Sequence, residues 1–289
     1  MRKRNISLVL GFAILVVLGA DVNGRAAPAG SNTSGFIYNY NSRQFSSLSA
    51  PPFPFAINDS GDIVGVDAHV PACLRVSGGQ ITTIVPEQGV QKCSPVGING
   101  AGTVIGWYLT ASSAHRAFVA IGPNITEITY PGCFSMDPAA INNAGEITGS
   151  CSYAGQVTVS SSAFIREANG QTTLFNVPGA TGTGGVGIDG AGDVVGIARF
   201  PGGNSSAFFY SHGSIRTLVI AACETAEVRA MSNQGRIVGN CRQQGSTIST
   251  GFLMDSPSSP AAVFSGPNGE AILVTGVNDA GQVVGTMEN

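Results

Sequence analysis

Residues 56–65 read AINDSGDIVG, and this ten-residue pattern returns five more times along the chain. The later copies are GINGAGTVIG from Gly97, AINNAGEITG from Ala140, GIDGAGDVVG from Gly187, AMSNQGRIVG from Ala230 and GVNDAGQVVG from Gly276. Their third residues follow one another at intervals of 41, 43, 47, 43 and 46 residues. Self-similarity at such a period is typical of solenoids, propellers and other repeat arrays.

Each copy, called the signature segment below, predicts a tight β-hairpin. The side chain of its third residue, most often Asn, can bond the backbone two residues on and cap the turn. The glycine three positions later can take the left-handed conformation that a short hairpin with a bulge requires. The glycine that ends the segment leaves room for close backbone approach or a bend. The turn glycines are Gly61, Gly102, Gly145, Gly192, Gly235 and Gly281, and the terminal glycines are Gly65, Gly106, Gly149, Gly196, Gly239 and Gly285.

A second motif, of one small, one aromatic and one apolar residue, runs in phase with the first. Its copies are Gly35-Phe36-Ile37, Ala117-Phe118-Val119, Ala163-Phe164-Ile165, Ala207-Phe208-Phe209 and Gly251-Phe252-Leu253, with Ala72-Cys73-Leu74 as a degenerate copy. A further short apolar run follows about ten residues on in several repeats. Such β-branched and aromatic runs, bounded by Gly, Pro, Ser and Asn, are typical of strands. We therefore expect four strands per repeat, each repeat opening on the small-aromatic-apolar strand.

The repeat length indicates the architecture. Four strands in about 43 residues match one blade of a β-propeller, and six repeats fall within the usual range of blades. We expect an all-β, six-repeat β-propeller-like ring of four-stranded units over residues 35–289, with an open β-solenoid as the alternative. In a ring, the strand at Phe36 would complete the last sheet as a latch beside residues 283–285. No helical periodicity follows residue 30, which disfavours α-containing repeats.

The two motifs together resemble the HAF-type extracellular repeat family of bacteria. The family is named for its opening motif, which residues 115–118, His-Arg-Ala-Phe, match in loosened form. The resemblance covers residues 35–287, and the copy with Met231 and Ser232 departs from the Ile-Asn pattern. It implies an exported repeat protein and leaves the ligand open.

The N-terminus has the layout of a secretory signal peptide. Residues 1–4 are Met-Arg-Lys-Arg, and an apolar stretch from Ile6 to Leu18 precedes small and polar residues. The stretch is shorter than the ~20 residues of a membrane-spanning helix, and no second one follows. We predict a signal peptide at residues 1–20, with cleavage after 20 or after 24, and a linker at 21–34. An uncleaved anchor is the alternative, and the mature chain is expected to be secreted, periplasmic or at the cell surface.

Composition limits the partners. Charged residues make up 11% of the chain, against ~25% in an ordinary globular protein, and 40 Gly and 15 Pro indicate many turns. The formal net charge is −3, and removal of residues 1–20 leaves 11 basic against 17 acidic residues. Nucleic-acid binding requires the opposite sign. We expect no nucleic acid, no cofactor and a monomer whose extracellular or periplasmic ligand is unknown.

Six cysteines in an exported chain predict three disulfides. Cys133 with Cys151, and Cys223 with Cys241, lie 18 residues apart astride signature segments, at matching places in two repeats. Each pair would cross-link the two strands of a hairpin. Because its two cysteines are not placed symmetrically about the turn, we expect a bulge or an irregular lead-in, such as one near Pro138, to compensate for the difference. Cys73 with Cys93 then follows by elimination. A loop of this length contributes about 3 kcal/mol, and no CxxC spacing favours a metal site.

The chain contains no catalytic motif. His69, His115 and His212 lie in different repeats, and neither GxSxG nor HExxH is present. Asp59 and Asp62, and likewise Asp189 and Asp193, faintly resemble calcium loops, but the hairpins return to strand too soon to supply the ligands. The Gly-rich run from Thr181 to Gly187 is interpreted as a loop, since no helix follows it to bind phosphate. We predict no enzyme and no metal.

Departures from the repeat are the places where a specific role is expected. Trp107 and Tyr108 follow Gly106, where other repeats carry small, aliphatic or polar residues. An aromatic platform in a loop suits stacking on a sugar or peptide, and core packing is the alternative. The longer loops after Gly149 and Gly239 could form one side of a binding surface. The leading hypothesis is a binding module for carbohydrate, peptide or surface partners; a propeller-based lyase or glycosidase and a structural envelope protein are the alternatives.

Overall fold

The computed structural model describes residues 33–69, 72–155 and 158–288. The predicted signal peptide, both of its cleavage sites and nearly all of the 21–34 linker lie outside these ranges. Within them the chain forms 24 β-strands and one short 3-10 helix at Pro267–Gly269. The all-β prediction is confirmed.

The strands are short and follow one another through tight turns. The first half of the chain contains β1 (Thr33–Asn39), β2 (Gln44–Leu48), β3 (Phe53–Ile57), β4 (Ile63–Val66), β5 (Cys73–Ser77), β6 (Gln80–Ile84), β7 (Lys92–Ile98), β8 (Val104–Leu109), β9 (His115–Ile121), β10 (Asn124–Ile128), β11 (Ser135–Ile141) and β12 (Ile147–Ser152). The second half contains β13 (Ser161–Arg166), β14 (Thr172–Phe175), β15 (Gly182–Ile188), β16 (Val194–Arg199), β17 (Ser205–Ser211), β18 (Ser214–Thr217), β19 (Thr225–Met231), β20 (Ile237–Arg242), β21 (Thr250–Met254), β22 (Ala262–Phe264), β23 (Ile272–Val277) and β24 (Gln282–Glu288).

These strands form the sheets of a β-propeller. Four sheets have four strands each, in the orders β2-β1-β24-β23, β3-β4-β5-β6, β7-β8-β9-β10 and β19-β20-β21-β22. The strands β11 to β18 form one eight-stranded sheet, whose two halves share a single parallel bridge between Ser161 and Gly182. The strands β3, β7, β11, β15, β19 and β23 contact one another in succession, and β23 contacts β3. This closed ring excludes the open β-solenoid.

The chain ends close the ring together. β1 pairs with β24 from Thr33 opposite Glu288 to Asn39 opposite Gln282, as the latch prediction requires. The prediction that the small-aromatic-apolar strand opens a structural unit is wrong, because this strand is the third of its group in every sheet. Each sequence repeat therefore gives two strands to one sheet and two to the next. This half-repeat offset places both chain ends in one sheet.

The signature segments form the predicted hairpins. The six turn glycines have φ between 75° and 83°. Asn58 Oδ1 accepts hydrogen bonds from the backbone N–H of Ser60 at 3.1 Å and of Asp62 at 2.9 Å. The corresponding bond from the residue four positions on recurs at Asn99, Asn142, Asp189 and Asn278. Side-chain capping of the turn is confirmed at these five segments.

The two sequence motifs meet across neighbouring strands. Five of the six terminal glycines lie opposite the Phe of a small-aromatic-apolar triplet, as Gly149 lies opposite Phe164, whereas Gly65 lies opposite Leu74. A Cβ on Gly149 would collide with the backbone oxygen of Asp137 and press on the Phe164 ring. The five triplet phenylalanines, Phe36, Phe118, Phe164, Phe208 and Phe252, are at most 1% exposed. Glycine is thus required because it admits both a close strand and an aromatic ring.

The structure contains the three disulfides that the sequence predicted, Cys73–Cys93, Cys133–Cys151 and Cys223–Cys241. The second and third each join the approach to a first strand, β11 or β19, to the following strand of the same sheet. A register shift between Pro138 and Ala140 absorbs the predicted offset. Cys73–Cys93 differs, because it joins β5 of one sheet to β7 of the next and so links two neighbouring sheets.

Candidate functional site

The two ends of the propeller differ in chemistry. The signature segments gather at one end, which we call the hairpin face. The other end, which we call the cleft face, carries the beginnings of the first strands and the connections from second to third strands. The side chains that could contact a ligand are therefore divided between two separate surfaces.

On the hairpin face, polar groups at the segment tips bond one another. Asp59 Oδ1 accepts from the backbone N–H of Asp279 at 2.8 Å, and Asp279 Oδ1 accepts from that of Gln234 at 2.8 Å. Asn233 Oδ1 accepts from the backbone N–H of Asn143 at 2.7 Å, across the ring. These bonds hold the segment tips together.

A belt of Asn side chains lies beneath these tips. Each donates Nδ2 to the backbone carbonyl of the equivalent residue in the next segment: Asn58 to Asn99 at 2.9 Å, Asn99 to Asn142 at 3.2 Å, Asn142 to Asp189 at 2.8 Å and Asn278 to Asn58 at 3.0 Å. Asp189 and Ser232 lack an amide and interrupt the belt. Burial raises the pKa of the Asp189 carboxyl. The Asn of the motif therefore has two structural roles, in its own turn and between sheets.

The centre of the ring is a small cavity of about 60 Å³. A register shift in every first strand turns one residue toward it: Phe55, Val96, Ala139, Val186, Arg229 and Thr275. The charged groups in its lining are Asp59 and Arg229. Such a volume holds a few water molecules, so the cavity is too small for a substrate-sized ligand.

The structure places Trp107 and Tyr108 in strand β8, so the prediction of a loop platform is wrong. Tyr108 is 7% exposed and packs with Cys93 and Phe118, as the core-packing alternative predicts. Trp107 is half-buried on the cleft face. Its ring lies 5.0 Å from His115 on β9 and 5.2 Å from the Lys92 ammonium on β7. The Trp107 ring therefore contacts two polar side chains, and its binding role stays a prediction.

His115 links this aromatic group to the neighbouring sheet. Its Nε2 lies 3.4 Å from Asp137 Oδ1, and its Nδ1 lies 3.4 Å from Ser135 Oγ. Ser135 Oγ also donates to the Asp137 carboxylate at 3.3 Å. Burial raises the pKa of the Asp137 carboxyl to about 7, and burial lowers the pKa of His115. This junction between β7–β10 and β11–β14, which we call the Trp107 cleft, thus places a carboxyl with a raised pKa beside an imidazole with a lowered pKa.

We expect Asp137 to make stability fall as pH rises from about 4 to 7. Its pKa is higher in the folded state than the ~3.9 of an unfolded Asp, so the folded state binds the extra proton in this range. The stabilising contribution is complete below pH 4 and is lost as pH passes 7. Asp137→Asn should remove this decline, so its stability relative to the wild type should be about 2–4 kcal/mol higher at pH 8 than at pH 4.

Urea unfolding of both proteins between pH 4 and pH 8 measures this difference. His115 has a lowered pKa and contributes the opposite slope, but it is present in both proteins. Parallel stability curves for the two proteins would show that the Asp137 carboxyl is not strained by burial.

A second cleft lies on the same face between β15–β18 and β19–β22, with a volume of about 550 Å³. Its lining includes Arg199, Arg242, Glu227 and Asn240. Glu227 Oε2 accepts from Arg229 Nη2 at 2.8 Å. We call it the arginine cleft. Its volume is within the ~300–1,000 Å³ of small-molecule sites.

The two clefts are related by the repeat. Asp137 lies opposite Ser150, and Glu227 lies opposite Asn240. Ser150 and Asn240 each directly follow the terminal glycine of a signature segment. The same position in the other repeats is Phe53, Ser94, Gly184 or Leu273. Asp137 and Glu227 were not among the sequence candidates. An alignment of the residues five places before the third residue of each segment would have singled them out.

The other sequence candidates have ordinary local partners. His69 Nδ1 lies 2.9 Å from Asp67, and His212 Nδ1 lies 3.4 Å from Asp193. Asp62 accepts from Arg75 Nη2 at 2.8 Å. The Gly-rich run interpreted as a loop is instead strand β15, so that interpretation is wrong. In residues 33–69, 72–155 and 158–288 no three His, Cys, Asp or Glu side chains are placed to hold a metal ion.

No helix in the described part of the chain is long and apolar enough to cross a membrane. No protein-family model matches the chain, and no curated protein matches its sequence.

Several solved propellers share this fold. A structure described as TolB from Agrobacterium tumefaciens is 12% identical with a TM-score of 0.68, covering 90% of this chain and 99% of that one. TolB from Acinetobacter baumannii is 12% identical with a TM-score of 0.57, covering 89% of this chain and 63% of that one. The β-propeller domain of the Trilobed protease from Pyrococcus furiosus is 7% identical with a TM-score of 0.55, covering 88% and 83%. At these identities the likeness shows the propeller fold alone.

Proposed function

We propose that this chain is an exported interaction module that binds a polar ligand, a carbohydrate, a peptide or a surface partner, through the cleft face. Three disulfides favour an oxidising compartment such as the periplasm or the cell exterior. The TolB-like propeller fold and the HAF-type resemblance are consistent with that location. We take the chain to be a monomer, and light scattering of the exported protein checks this.

We also infer six blades, because the halves β11–β14 and β15–β18 of the eight-stranded sheet are joined at one bridge only. Each half repeats the strand order of the separate sheets, and six signature segments match six blades. On this count the Trp107 cleft and the arginine cleft lie between different pairs of blades.

The contrast between the two faces carries the proposal. The hairpin face uses residues that recur in the repeat, and its tips bond one another. The cleft face holds residues that only one or two repeats carry, among them Trp107, Asp137 and Arg242. Partly exposed aromatic and Arg side chains are the types that contribute most to binding. A scaffold whose singular residues gather on one face is suited to recognition there.

Glycan and peptide arrays probed with the exported, disulfide-bonded chain test this proposal. For ligands bound at the Trp107 cleft, Trp107→Ala should lower the signal about tenfold or more. Ile121→Ala is the matched control, because Ile121 is 62% exposed at the hairpin end of β9. Binding that resists every cleft-face substitution and is lost on changes at the hairpin face would contradict the proposal. No bound ligand at all would favour the structural envelope alternative.

An enzyme is the second candidate, and Asp137 favours it. A carboxyl with a pKa of about 7 beside His115 is suited to general acid or base work. A glycosidase needs a second carboxyl group, whereas the side-chain partners of Asp137 are Ser135 and His115. A lyase, with one proton-transfer group, is therefore the better form of this alternative. Turnover of uronate polymers that Asp137→Asn abolishes would support it.

A further inference from the structure

We propose that the arginine cleft binds a carboxylate-bearing sugar, a uronate. The inference rests on the proposed use of the cleft face and names the ligand class of one site on it. It draws on the charge of the cleft, on its buried hydrogen-bond donors and on its hydroxyl lining.

The cleft is cationic although the chain is acidic. Arg199 and Arg242 line it, and the carboxylate of Glu227 is already paired with Arg229 at 2.8 Å. The formal net charge of the whole chain is −3. Two arginines in the lining, beside one carboxylate that Arg229 already binds, favour an anionic ligand. Guanidinium groups bind carboxylates through two parallel hydrogen bonds, which gives both strength and orientation.

Buried donors in the cleft lack acceptors. Asn240 is 3% exposed and its Oδ1 accepts from the backbone N–H of Val274 at 2.8 Å, but its Nδ2 has no partner in the described structure. Arg242 Nε is likewise buried without a partner. A buried donor without an acceptor costs about 1–3 kcal/mol. Asn240 and Arg242 both line the cleft, so a shift of these side chains toward a bound ligand would give each donor an acceptor.

The remaining lining favours a sugar over an acidic peptide. Ser205, Ser206, Thr225 and Ser249, which carry hydroxyl side chains, are also among the lining residues. Hydroxyls both donate and accept, which matches the hydroxyl groups of a pyranose ring. The cleft volume of about 550 Å³ suits one or two sugar rings. A uronate and an acidic peptide both carry the carboxylate that the arginines bind, and the hydroxyl lining favours the sugar.

Calorimetric titration of the exported, disulfide-bonded chain with sodium galacturonate and digalacturonate tests the inference. We expect saturable binding that weakens at high salt, with galactose binding at least tenfold more weakly. Arg242→Gln and Arg199→Gln should each weaken uronate binding about tenfold or more. Arg216→Gln is the matched control, because Arg216 is exposed on strand β18 and outside the cleft; it should bind as the wild type does.

Circular dichroism and thermal unfolding establish that each variant is folded. If Arg242→Gln does not fold, Arg199→Gln still tests the inference, because Arg199 is exposed. Absent uronate binding, equal binding of galactose, or equal loss in Arg216→Gln would overturn the inference. Tighter binding of an acidic dipeptide than of the uronates would overturn the choice of a sugar. Trp107→Ala should keep uronate binding, so failure of this site and failure of the Trp107 cleft are distinguishable.

Discussion

Gly239→Ala is expected to destabilise the fold by at least about 4 kcal/mol, or to prevent folding. A Cβ on Gly239 would overlap the backbone oxygen of Glu227 and press on the Phe252 ring. Neither neighbour can move easily, because Val228 is paired with Gly239 in the ladder and Phe252 is fully buried. The two strands would have to separate, which breaks ladder hydrogen bonds and opens the core beside the arginine cleft.

The control for Gly239 is Gly155→Ala. Gly155 has φ of 71°, and a Cβ there would meet nothing within 4 Å. Its substitution should cost only the ~1–2 kcal/mol of a left-handed residue with a Cβ. Urea unfolding of the exported proteins measures both values. Equal costs would mean that backbone conformation, and not close strand approach, explains the glycines of the motif.

Phe164→Ala is expected to lower the free energy of unfolding by about 3–5 kcal/mol. Phe164 is 0% exposed and packs with Ile105 and Ile147 in a core that lies between neighbouring sheets. Removing its ring leaves a cavity over Gly149 that the rigid sheets cannot fill. Because this core joins two sheets, the loss should weaken the ring as a whole.

Phe134→Ala provides the comparison for Phe164. The Phe134 side chain is 77% exposed, so its removal should change stability by less than about 0.5 kcal/mol. Chemical denaturation followed by tryptophan fluorescence reports both, since Trp107 is the single Trp of the chain. A loss below about 1 kcal/mol for Phe164→Ala would contradict the assignment of the triplet Phe as the main core residue.

Features set by short-range contacts were predictable from the sequence. An Asn that bonds the backbone two and four residues on, and a glycine that must take positive φ, depend on neighbours within one turn. The same holds for the disulfides astride the signature segments. The latch was predictable because the repeat count leaves half a sheet at each chain end.

Placement of single residues within the repeat was less predictable. Trp107 and Tyr108 were expected in a loop, but they continue β8 because a glycine before them permits close strand approach without ending the strand. The Gly-rich run from Thr181 was expected in a loop for its composition. It forms β15, in which Gly185 and Gly187 lie where packed neighbours leave no room for a Cβ.

The sequence by itself determined that the chain is an all-β repeat protein with capped hairpins and three disulfides, since these follow from local bonds repeated at one period. Only the tertiary structure decided which singular residues meet. Asp137 reaches His115 of the neighbouring sheet, and Arg199 and Arg242 line the same cleft. Such contacts depend on how adjacent sheets face each other around the ring, and no local pattern in either segment contains that information.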